Sequence, residues 1–174
     1  EFRRVLFRST ATGVSVAVTS ATSSICTVSG STVTLVTAGT CTLNASQSGN
    51  STYDAATQVS QSFAVTPPAP VIGTQPANFQ GFNSTSSANF SVVATVSTGT
   101  LSYQWQTSTD SGVTWSNVGT SSTSYSQSVS PAGSFTFDGY RYRVIVTNTV
   151  NSVTASTTSN EATLSIRLVQ TIGT

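Results

Sequence analysis

Apolar and polar residues alternate along several stretches in the second half of the chain. The alternation is clearest over residues 90–94, 101–105 and 138–148. A period of two places every second side chain on the same face of an extended strand. The pattern therefore predicts β-strands with one buried face, and Trp105 and Tyr142 fall at buried positions on two of them.

The first half shows the same pattern in shorter runs. Residues 25–35 are typical of a β-hairpin, with residues 29–31 at the turn between two alternating runs. Further alternating runs cover residues 38–45 and 58–65. Only 6% of the residues are charged, while Thr, Ser and Val are abundant, and this composition suits strands better than charged disorder. We therefore predict an all-β fold.

A cluster of prolines divides the chain. Residues 67–76 contain four of the five prolines. Proline cannot donate to a central sheet ladder and favours extended linkers. We therefore predict a Pro-rich linker over residues 67–76, between a first module at 10–66 and a second at 77–167. Residues 168–174 are predicted to begin the next linker.

The first nine residues differ in character from the rest. Residues 1–9, Glu-Phe-Arg-Arg-Val-Leu-Phe-Arg-Ser, are charged and unpatterned, and they resemble a translated DNA-sequencing adapter. The alternative, the basic start of a signal peptide, lacks the apolar segment and cleavage site that should follow. We therefore expect the chain to be a fragment of a longer reading frame, truncated at arbitrary points.

Charge and hydropathy exclude two classes of partner. Outside residues 1–9, three arginines stand against four carboxylates, so no basic patch remains to neutralise the phosphates of a nucleic acid. No apolar run approaches the ~20 residues that a membrane-spanning helix needs. We therefore expect neither a nucleic-acid partner nor a membrane span in this fragment.

Two motifs in the second module resemble those of bacterial immunoglobulin-like (Ig-like) domains. Residues 103–115 read Tyr-Gln-Trp-Gln-x-Ser-x-Asp-x-Gly-x-Thr-Trp, and residues 141–148 read Arg-Tyr-Arg-Val-x-Val-Thr-Asn. The resemblance implies a complete Ig-like β-sandwich, with a buried Trp and a Tyr whose hydroxyl ties a strand corner. Two valines stand where other Ig domains have a disulfide. The structural core implied in this way is Val92, Trp105, Tyr142 and Val144.

The first module resembles a second type of bacterial Ig-like domain. The resemblance rests on Cys-Thr-Val-Ser-Gly-Ser-Thr-Val-Thr-Leu at 26–35 and Ala-Gly-Thr-Cys-Thr-Leu at 38–43. Members of that family carry one or two more strands at their start. The resemblance therefore implies a tandem of two Ig-like modules, the first of which is truncated at its N-terminus and has an open sheet edge.

The two cysteines are candidates for a disulfide. Cys26 and Cys41 are the only cysteines, and the hairpin pattern places them on neighbouring strands. A disulfide would contribute about 3 kcal/mol in the chain-entropy model and would indicate a compartment outside the cytoplasm. The alternatives are two buried free thiols or a metal site, and the chain has no His to complete such a site.

Residues 108–115 match the Asp-box pattern Ser-x-Asp-x-Gly-x-Thr-Trp, which recurs in sialidase propellers. A propeller would need several copies at regular spacing. A single copy predicts a turn in which the Asp bonds backbone amides, the Gly supplies unusual dihedral angles and the Trp packs across the hairpin. The residues of this turn motif are Ser108, Asp110, Gly112, Thr114 and Trp115.

No catalytic residue, metal site or cofactor is predicted. Without His, no Ser-His-Asp or Cys-His arrangement can form, and the carboxylates are scattered over both modules. Tyr103, Trp115 and Tyr140 are the candidates for stacking on sugars if they share an exposed sheet face. The competing interpretation is that this face carries ordinary cross-strand pairs on a solvated sheet, and we favour it.

These observations lead to a functional hypothesis. We expect non-catalytic structural or adhesive repeat modules, a spacer or stalk, from a large bacterial secreted or cell-surface protein. The expected partners are neighbouring Ig-like repeats and an unknown extracellular protein or glycan. The alternative is a carbohydrate-binding accessory module of a secreted glycan-active enzyme.

Overall fold

The computed structural model describes residues 14–82, 86–129 and 135–167, so the predicted adapter-like segment 1–9 and the predicted linker start at 168–174 lie outside the described residues. All regular structure in these ranges is β-strand, and the all-β prediction is confirmed. The described ranges contain no helix of the length and apolar character needed to cross a membrane. The chain folds as two compact units. The first extends to Pro67 and includes Val150–Val153, and the second takes Pro68–Thr149 and the residues from Thr154 onward.

The first unit contains five strands in two sheets. In chain order they are β1 Ala17–Ser20, β2 Cys26–Ser29, β3 Thr32–Leu35, β4 Gly39–Gln47 and β5 Ala56–Val65. Strands β1, β4 and β5 form an antiparallel sheet in the order β1-β4-β5, while β2 and β3 form a hairpin. The hairpin turn needs Gly30, whose φ of 58° lies in the left-handed region that favours glycine.

A disulfide links the two sheets of the first unit. The predicted bond between Cys26 and Cys41 is present, with the two Cα atoms 5.7 Å apart. The cysteines do not lie on neighbouring strands, however, because β2 pairs with β3 whereas β4 pairs with β1 and β5. The fully buried core around the bond is small and consists of the two cysteines and Leu43. The disulfide therefore lies at the centre of this core.

The second unit contains ten strands. In chain order they are β6 Val71–Thr74, β7 Phe79–Phe82, β8 Ser87–Ser91, β9 Val93–Thr95, β10 Thr100–Ser108, β11 Ser116–Val118, β12 Ser124–Ser128, β13 Arg141–Val150, β14 Val153–Thr158 and β15 Ala162–Arg167. The larger sheet has the order β11-β10-β13-β15-β7, and β14 also pairs with β13. The opposite layer is built from the pairs β6-β9 and β8-β12. β7 runs parallel to β15, whereas the pairs β10–β11, β10–β13, β13–β15, β8–β12 and β6–β9 are antiparallel.

Strands β8 and β9 are two parts of one interrupted strand. Val92 lies between them, and its amide donates to the Thr123 carbonyl at 2.9 Å, so hydrogen bonding on the β12 side continues through the break. Two packed, mainly antiparallel layers, with Trp105 on β10 beside Tyr142 and Val144 on the neighbouring β13 in the shared core, are the arrangement of an Ig-like β-sandwich. The second unit therefore has the Ig-like fold that the motifs imply.

The core of the second unit contains the four residues assigned to it from the sequence. Val92 is 2% exposed, and Trp105, Tyr142 and Val144 are fully buried in the same cluster. Ring stacking extends this cluster to the β8–β12 layer, with ring centroids of Phe90 and Tyr142 only 4.5 Å apart. These contacts hold the two layers together without a disulfide.

The predicted linker is partly a strand. Residues 71–74 form β6, which pairs with β9 in the second unit. The physical reason is that no proline lies within these four residues, and the prolines at 70 and 76 flank the strand without interrupting its ladder. The proline cluster therefore borders the first strand of the second unit.

Tyr142 lacks the hydrogen bond that the corner role implies. Its hydroxyl is buried and makes no well-formed hydrogen bond among the described residues; its interaction with the Thr107 hydroxyl, at the paired position of β10, falls short of hydrogen-bond geometry, and burial raises the pKa of Tyr142 to about 12. The corner before β13 is held by other groups. The Asp138 carboxylate accepts from the Ile166 amide at 2.7 Å, and the Gly139 amide donates to the Leu164 carbonyl at 2.9 Å.

Removing the Tyr142 hydroxyl should therefore change the stability of the second unit little. The buried hydroxyl makes no well-formed hydrogen bond, but its removal leaves the buried Thr107 hydroxyl without its polar neighbour, so Tyr142→Phe is expected to change the free energy of unfolding by less than about 1 kcal/mol. The matched control is Tyr125→Phe, which removes a hydroxyl that donates to Gln127 Oε1 at 2.9 Å and should cost about 0.5–1.5 kcal/mol. Urea denaturation followed by tryptophan fluorescence measures both. A larger loss for Tyr142→Phe than for Tyr125→Phe would contradict this account.

The chain enters and leaves the second unit at opposite ends of β13. At the entry, the Pro68 carbonyl accepts from Asn148 Nδ2 at 2.9 Å, near the C-terminal end of β13. At the other end, Arg141 is paired with Thr163 of β15, and β15 continues from there to Arg167 in the direction opposite to β13. Pro68 and Arg167 are therefore separated by the length of the sheet.

Candidate functional site

The predicted Asp-box turn connects β10 to β11 and is closed by side-chain hydrogen bonds. Ser108, the last residue of β10, donates to Asp110 Oδ1 at 2.7 Å and accepts from the Gly112 amide at 2.8 Å. Asp110 also accepts from the Thr114 amide at 2.8 Å and from the Thr114 hydroxyl at 2.5 Å. The Asp110 carboxylate is therefore occupied within its own turn.

The backbone conformation at position 112 favours glycine, and a side chain there would also crowd its neighbours. Its φ is 93°, next to Ser111 at 61°, and both values lie in the left-handed region. A Cβ atom at position 112 would also lie 3.1 Å from Glu161 Oε1 and 3.3 Å from Arg141 Nη1. The turn therefore lies close against the ion pair of Arg141 on β13 with Glu161, which directly precedes β15.

Trp115 packs on the outer face of the larger sheet. Its indole Nε1 donates to the Gly112 carbonyl at 3.1 Å, and the Arg143 Cζ atom lies 4.0 Å from its ring centroid. Arg143 Nε also donates to Gln106 Oε1 at 2.9 Å, and Gln106 Nε2 donates to Asn117 Oδ1 at 2.9 Å. We call Gln106, Trp115, Asn117 and Arg143 the outer-face cluster, and its polar groups bind one another across β11, β10 and β13.

The second guanidinium on this face is also paired. Arg141 Nη1 lies 2.8 Å from Glu161 Oε2, and each side chain is 38% exposed. An ion pair with this exposure contributes only about 0–1 kcal/mol. Arg141 and Arg143 both have partners within the protein, so neither is held ready for an anionic ligand.

The structure does not bring the three candidate sugar-stacking residues together. Tyr103 lies two residues from Trp105, so the period of two puts it on the inner face, where it packs against the core. Tyr140 packs against the same core and makes an edge-on contact with Phe137, with centroids 5.4 Å apart. Of the three, Trp115 alone lies on the outer face.

Two buried polar residues at strand ends were missed by the sequence analysis. Asn148 is fully buried and donates to the carbonyls of Pro68 at 2.9 Å and Thr98 at 3.0 Å. Ser159, between β14 and β15, accepts from the Val144 amide at 2.9 Å and so continues the ladder beside β13. Asn148 follows Tyr142, Val144 and Val146 at the inward-facing positions of β13. A polar residue at an inward-facing position was the feature of the sequence that could have revealed it.

The Asp110 carboxyl has a lowered pKa in the folded protein. Hydrogen bonds from the Thr114 hydroxyl and amide, together with that from Ser108, lower the pKa of Asp110 from 3.8 to about 2. Asp110 is therefore ionised at neutral pH and has no proton to donate as a general acid. Its hydrogen bonds serve the turn.

This pKa shift predicts a pH dependence of the turn. Because the folded pKa is depressed, the stabilisation is complete above the ordinary value of 3.8 and is lost as pH falls through about 2. Carbon-13 NMR titration of the Asp110 carboxyl should give a pKa of about 2, and Thr114→Val should raise it towards 3.8. Thr109→Val in the same turn is the matched control. A wild-type pKa near 3.8, or equal shifts in the two variants, would contradict the assignment.

Comparisons with known proteins give structural neighbours only. No family model and no curated protein matches the sequence. Among solved structures, the chain is similar to "Sidekick-1 immunoglobulin domains 1-5", with 13% identity, a TM-score of 0.40 and coverage of 75% of this chain and 26% of that chain. It is also similar to "Tandem Ig repeats of Dlar", with 16% identity, a TM-score of 0.37 and coverage of 90% and 84%. The fold assignment rests on the strand order and core described above, because both TM-scores are below 0.5.

Proposed function

We propose that the chain is a pair of non-catalytic Ig-like modules that serves as a spacer or adhesive stalk segment in a large extracellular protein. The observation that carries the proposal is the separation of Pro68 and Arg167 at opposite ends of β13. A module that takes in the chain at one end and releases it at the other adds its own length to an array. Neighbouring Ig-like repeats are then its direct partners.

The outer-face cluster supports a structural role over a binding role. Its side chains are engaged with one another through the 4.0 Å contact of Arg143 with Trp115 and the hydrogen bonds through Gln106. Such a face covers a solvated sheet with cross-strand pairs. A distal domain outside this sequence would then make the adhesive or catalytic contact.

The disulfide supports an extracellular location. A bond between Cys26 and Cys41 at the centre of the small first core is stable in an oxidising compartment and rare in the cytosol. We propose a bacterial secreted or cell-surface protein as the parent, because the two sequence motifs resemble bacterial Ig-like repeats. An extracellular protein or glycan would be the final target of such a parent.

The carbohydrate-binding alternative has weaker support. Stacking on a sugar requires an exposed aromatic face, and the Arg143 guanidinium lies over the Trp115 ring. Tyr103 and Tyr140 pack against the core and cannot extend a stacking row from Trp115. A sugar site on this face would therefore have to displace Arg143.

A binding screen separates the two functions. The complete chain is tested on a glycan array and in a bacterial cell-wall pulldown, beside Trp115→Ala and the matched control Val113→Ala, whose valine in the same turn is 80% exposed. The spacer proposal predicts no ligand for any of the three proteins. Binding that is lost in Trp115→Ala and kept in Val113→Ala would overturn it in favour of a lectin-like module.

A further inference from the structure

Side-chain hydrogen bonds fasten the segment that leads into the second unit. We call residues 68–78 the strap, which contains β6 and ends just before β7. At the start of the strap, the Pro68 carbonyl accepts from Asn148 Nδ2 at 2.9 Å. The Pro70 carbonyl accepts from the Thr157 hydroxyl at 2.7 Å. Because proline has no N–H group, the carbonyl is its only backbone hydrogen-bonding group, and at both prolines it is bound by a residue of the larger sheet.

The other end of the strap is fastened by its own side chains. Gln75 Oε1 accepts from the Asn160 amide at 2.9 Å, and Asn78 Oδ1 accepts from the Thr163 amide at 2.8 Å. Between its two ends, the strap pairs with β9 through β6. The strap is therefore bonded to both layers of the sandwich, because β9 belongs to the layer opposite β13, β14 and β15.

Asn148 makes the buried part of this attachment. Its side chain is fully buried, and Nδ2 donates to the Thr98 carbonyl at 3.0 Å in addition to the Pro68 carbonyl. Its Oδ1 atom has no hydrogen-bond partner among the described residues. A buried polar atom without a partner is unfavourable, so the structural use of this side chain lies in the two bonds that Nδ2 donates. One of these two bonds holds the strap.

Little free chain remains between the first unit and the strap. β5 ends at Val65, so only Thr66 and Pro67 lie between β5 and the strap. The ring of Pro67 fixes its φ, and a residue before proline is restricted to extended conformations. The composition alone predicts a free linker over residues 67–76. The attachments instead leave Thr66 and Pro67 to act as the linker.

We propose that the strap is a fixed part of the second unit and that Asn148 and Thr157 keep its start attached. The strap then moves with the unit instead of bending as a linker. The consequence for an array rests on the proposed spacer function: a series of such modules keeps a nearly constant repeat length, because the segment before each module cannot extend. The attachment itself is independent of that function.

Nitrogen-15 relaxation on the complete chain, with the disulfide intact, tests whether the strap is rigid. We expect order parameters of about 0.85 for the strap amides, the value of a rigid backbone. A free linker would give values below about 0.6. Asn148→Asp keeps the shape of the side chain but, when ionised, cannot donate a hydrogen bond. It should therefore lower the order parameter of Ala69, between the two fastened prolines, below about 0.6.

Hydrogen exchange tests the second fastening, which involves no buried charge. Thr157→Val removes the hydroxyl that donates to the Pro70 carbonyl. Because the strap then opens more often, its amides should exchange at least about fivefold faster, the effect of losing about one hydrogen bond. The amides of β10 and β13 should exchange as in the wild type. The matched control is Thr158→Val at the next, exposed position of β14, which should change neither set of amides.

Each outcome decides the proposal. Strap order parameters below about 0.6 in the wild type, or unchanged strap exchange in Thr157→Val, would overturn it. Equal acceleration in Thr158→Val, or in the amides of β10 and β13, would do the same, since the effect would then be a general loss of stability. If Asn148→Asp unfolds the second unit, Thr157→Val decides alone. These outcomes leave the spacer function untouched, because the binding screen tests that function separately.

Discussion

Replacing Trp105 by alanine is expected to destabilise the second unit by about 3–5 kcal/mol, because the change removes a large side chain from a close-packed interior. Trp105 is fully buried, its Nε1 donates to the Ser122 carbonyl at 2.9 Å, and its ring centroid lies 6.2 Å from that of Tyr125. No disulfide links the layers of this unit, so the packing of side chains around Trp105 holds the layers together. The loss is a large part of the stability of an ordinary domain.

Trp115→Ala is the matched control for this prediction. It removes the same side chain from the outer face, where the losses are the contact with Arg143, the hydrogen bond to the Gly112 carbonyl and partial burial, and it should cost about 1–2 kcal/mol. Urea denaturation measures both free energies, since the remaining tryptophan reports on the same unit in each variant. An equal or greater loss for Trp115→Ala would mean that the outer face stabilises the unit as much as the core does.

Replacing both Cys26 and Cys41 by serine is expected to unfold the first unit and leave the second folded. The disulfide contributes about 3 kcal/mol in the chain-entropy model for a loop of this size. The loss extends beyond this term, because the two cysteines are two of the three fully buried residues in the core of the first unit. A unit with so little other buried apolar surface has little stability left to lose.

The two tryptophans allow this loss to be assigned to one unit. Trp105 and Trp115 both belong to the second unit, so fluorescence follows that unit alone, while far-UV circular dichroism follows both. We expect the double variant, and the wild type with a reducing agent, to lose the dichroism signal of the first unit at 25 °C with an unchanged fluorescence transition. Full dichroism in the double variant would contradict the central role of the disulfide.

The period-two pattern predicted much of the core and little of the polar structure. Alternation placed Trp105 and Tyr142 inside, because side chains two residues apart share one face of a strand. The same alternation places Tyr103 on the inner face of β10, because it lies two residues from Trp105. Tyr103 therefore cannot share an exposed sugar-binding face with Trp115, contrary to the expectation. The turn at 108–115 could be predicted from residue spacing, because its hydrogen bonds join residues no more than four positions apart.

Contacts between distant residues could not be predicted in this way. Asn148 bonds to Pro68, 80 residues away, and Asp138 bonds to the Ile166 amide, 28 residues away. Such pairs depend on how the layers meet, which no local pattern encodes. The corner before β13 is a second example. The resemblance implied that the Tyr142 hydroxyl ties this corner, whereas the Asp138 carboxylate makes the hydrogen bond there.

The most direct test of the spacer account is the distance between the two ends of the second unit. Spin labels on non-canonical residues at positions 69 and 167 of the complete chain would be measured by double electron–electron resonance, with the native disulfide left intact. The account predicts about 35 Å, from roughly eleven residues along β13 and β15 at about 3.3 Å each. A distance below about 20 Å, less than the rise of about seven strand residues, would place entry and exit on the same side and contradict a spacer.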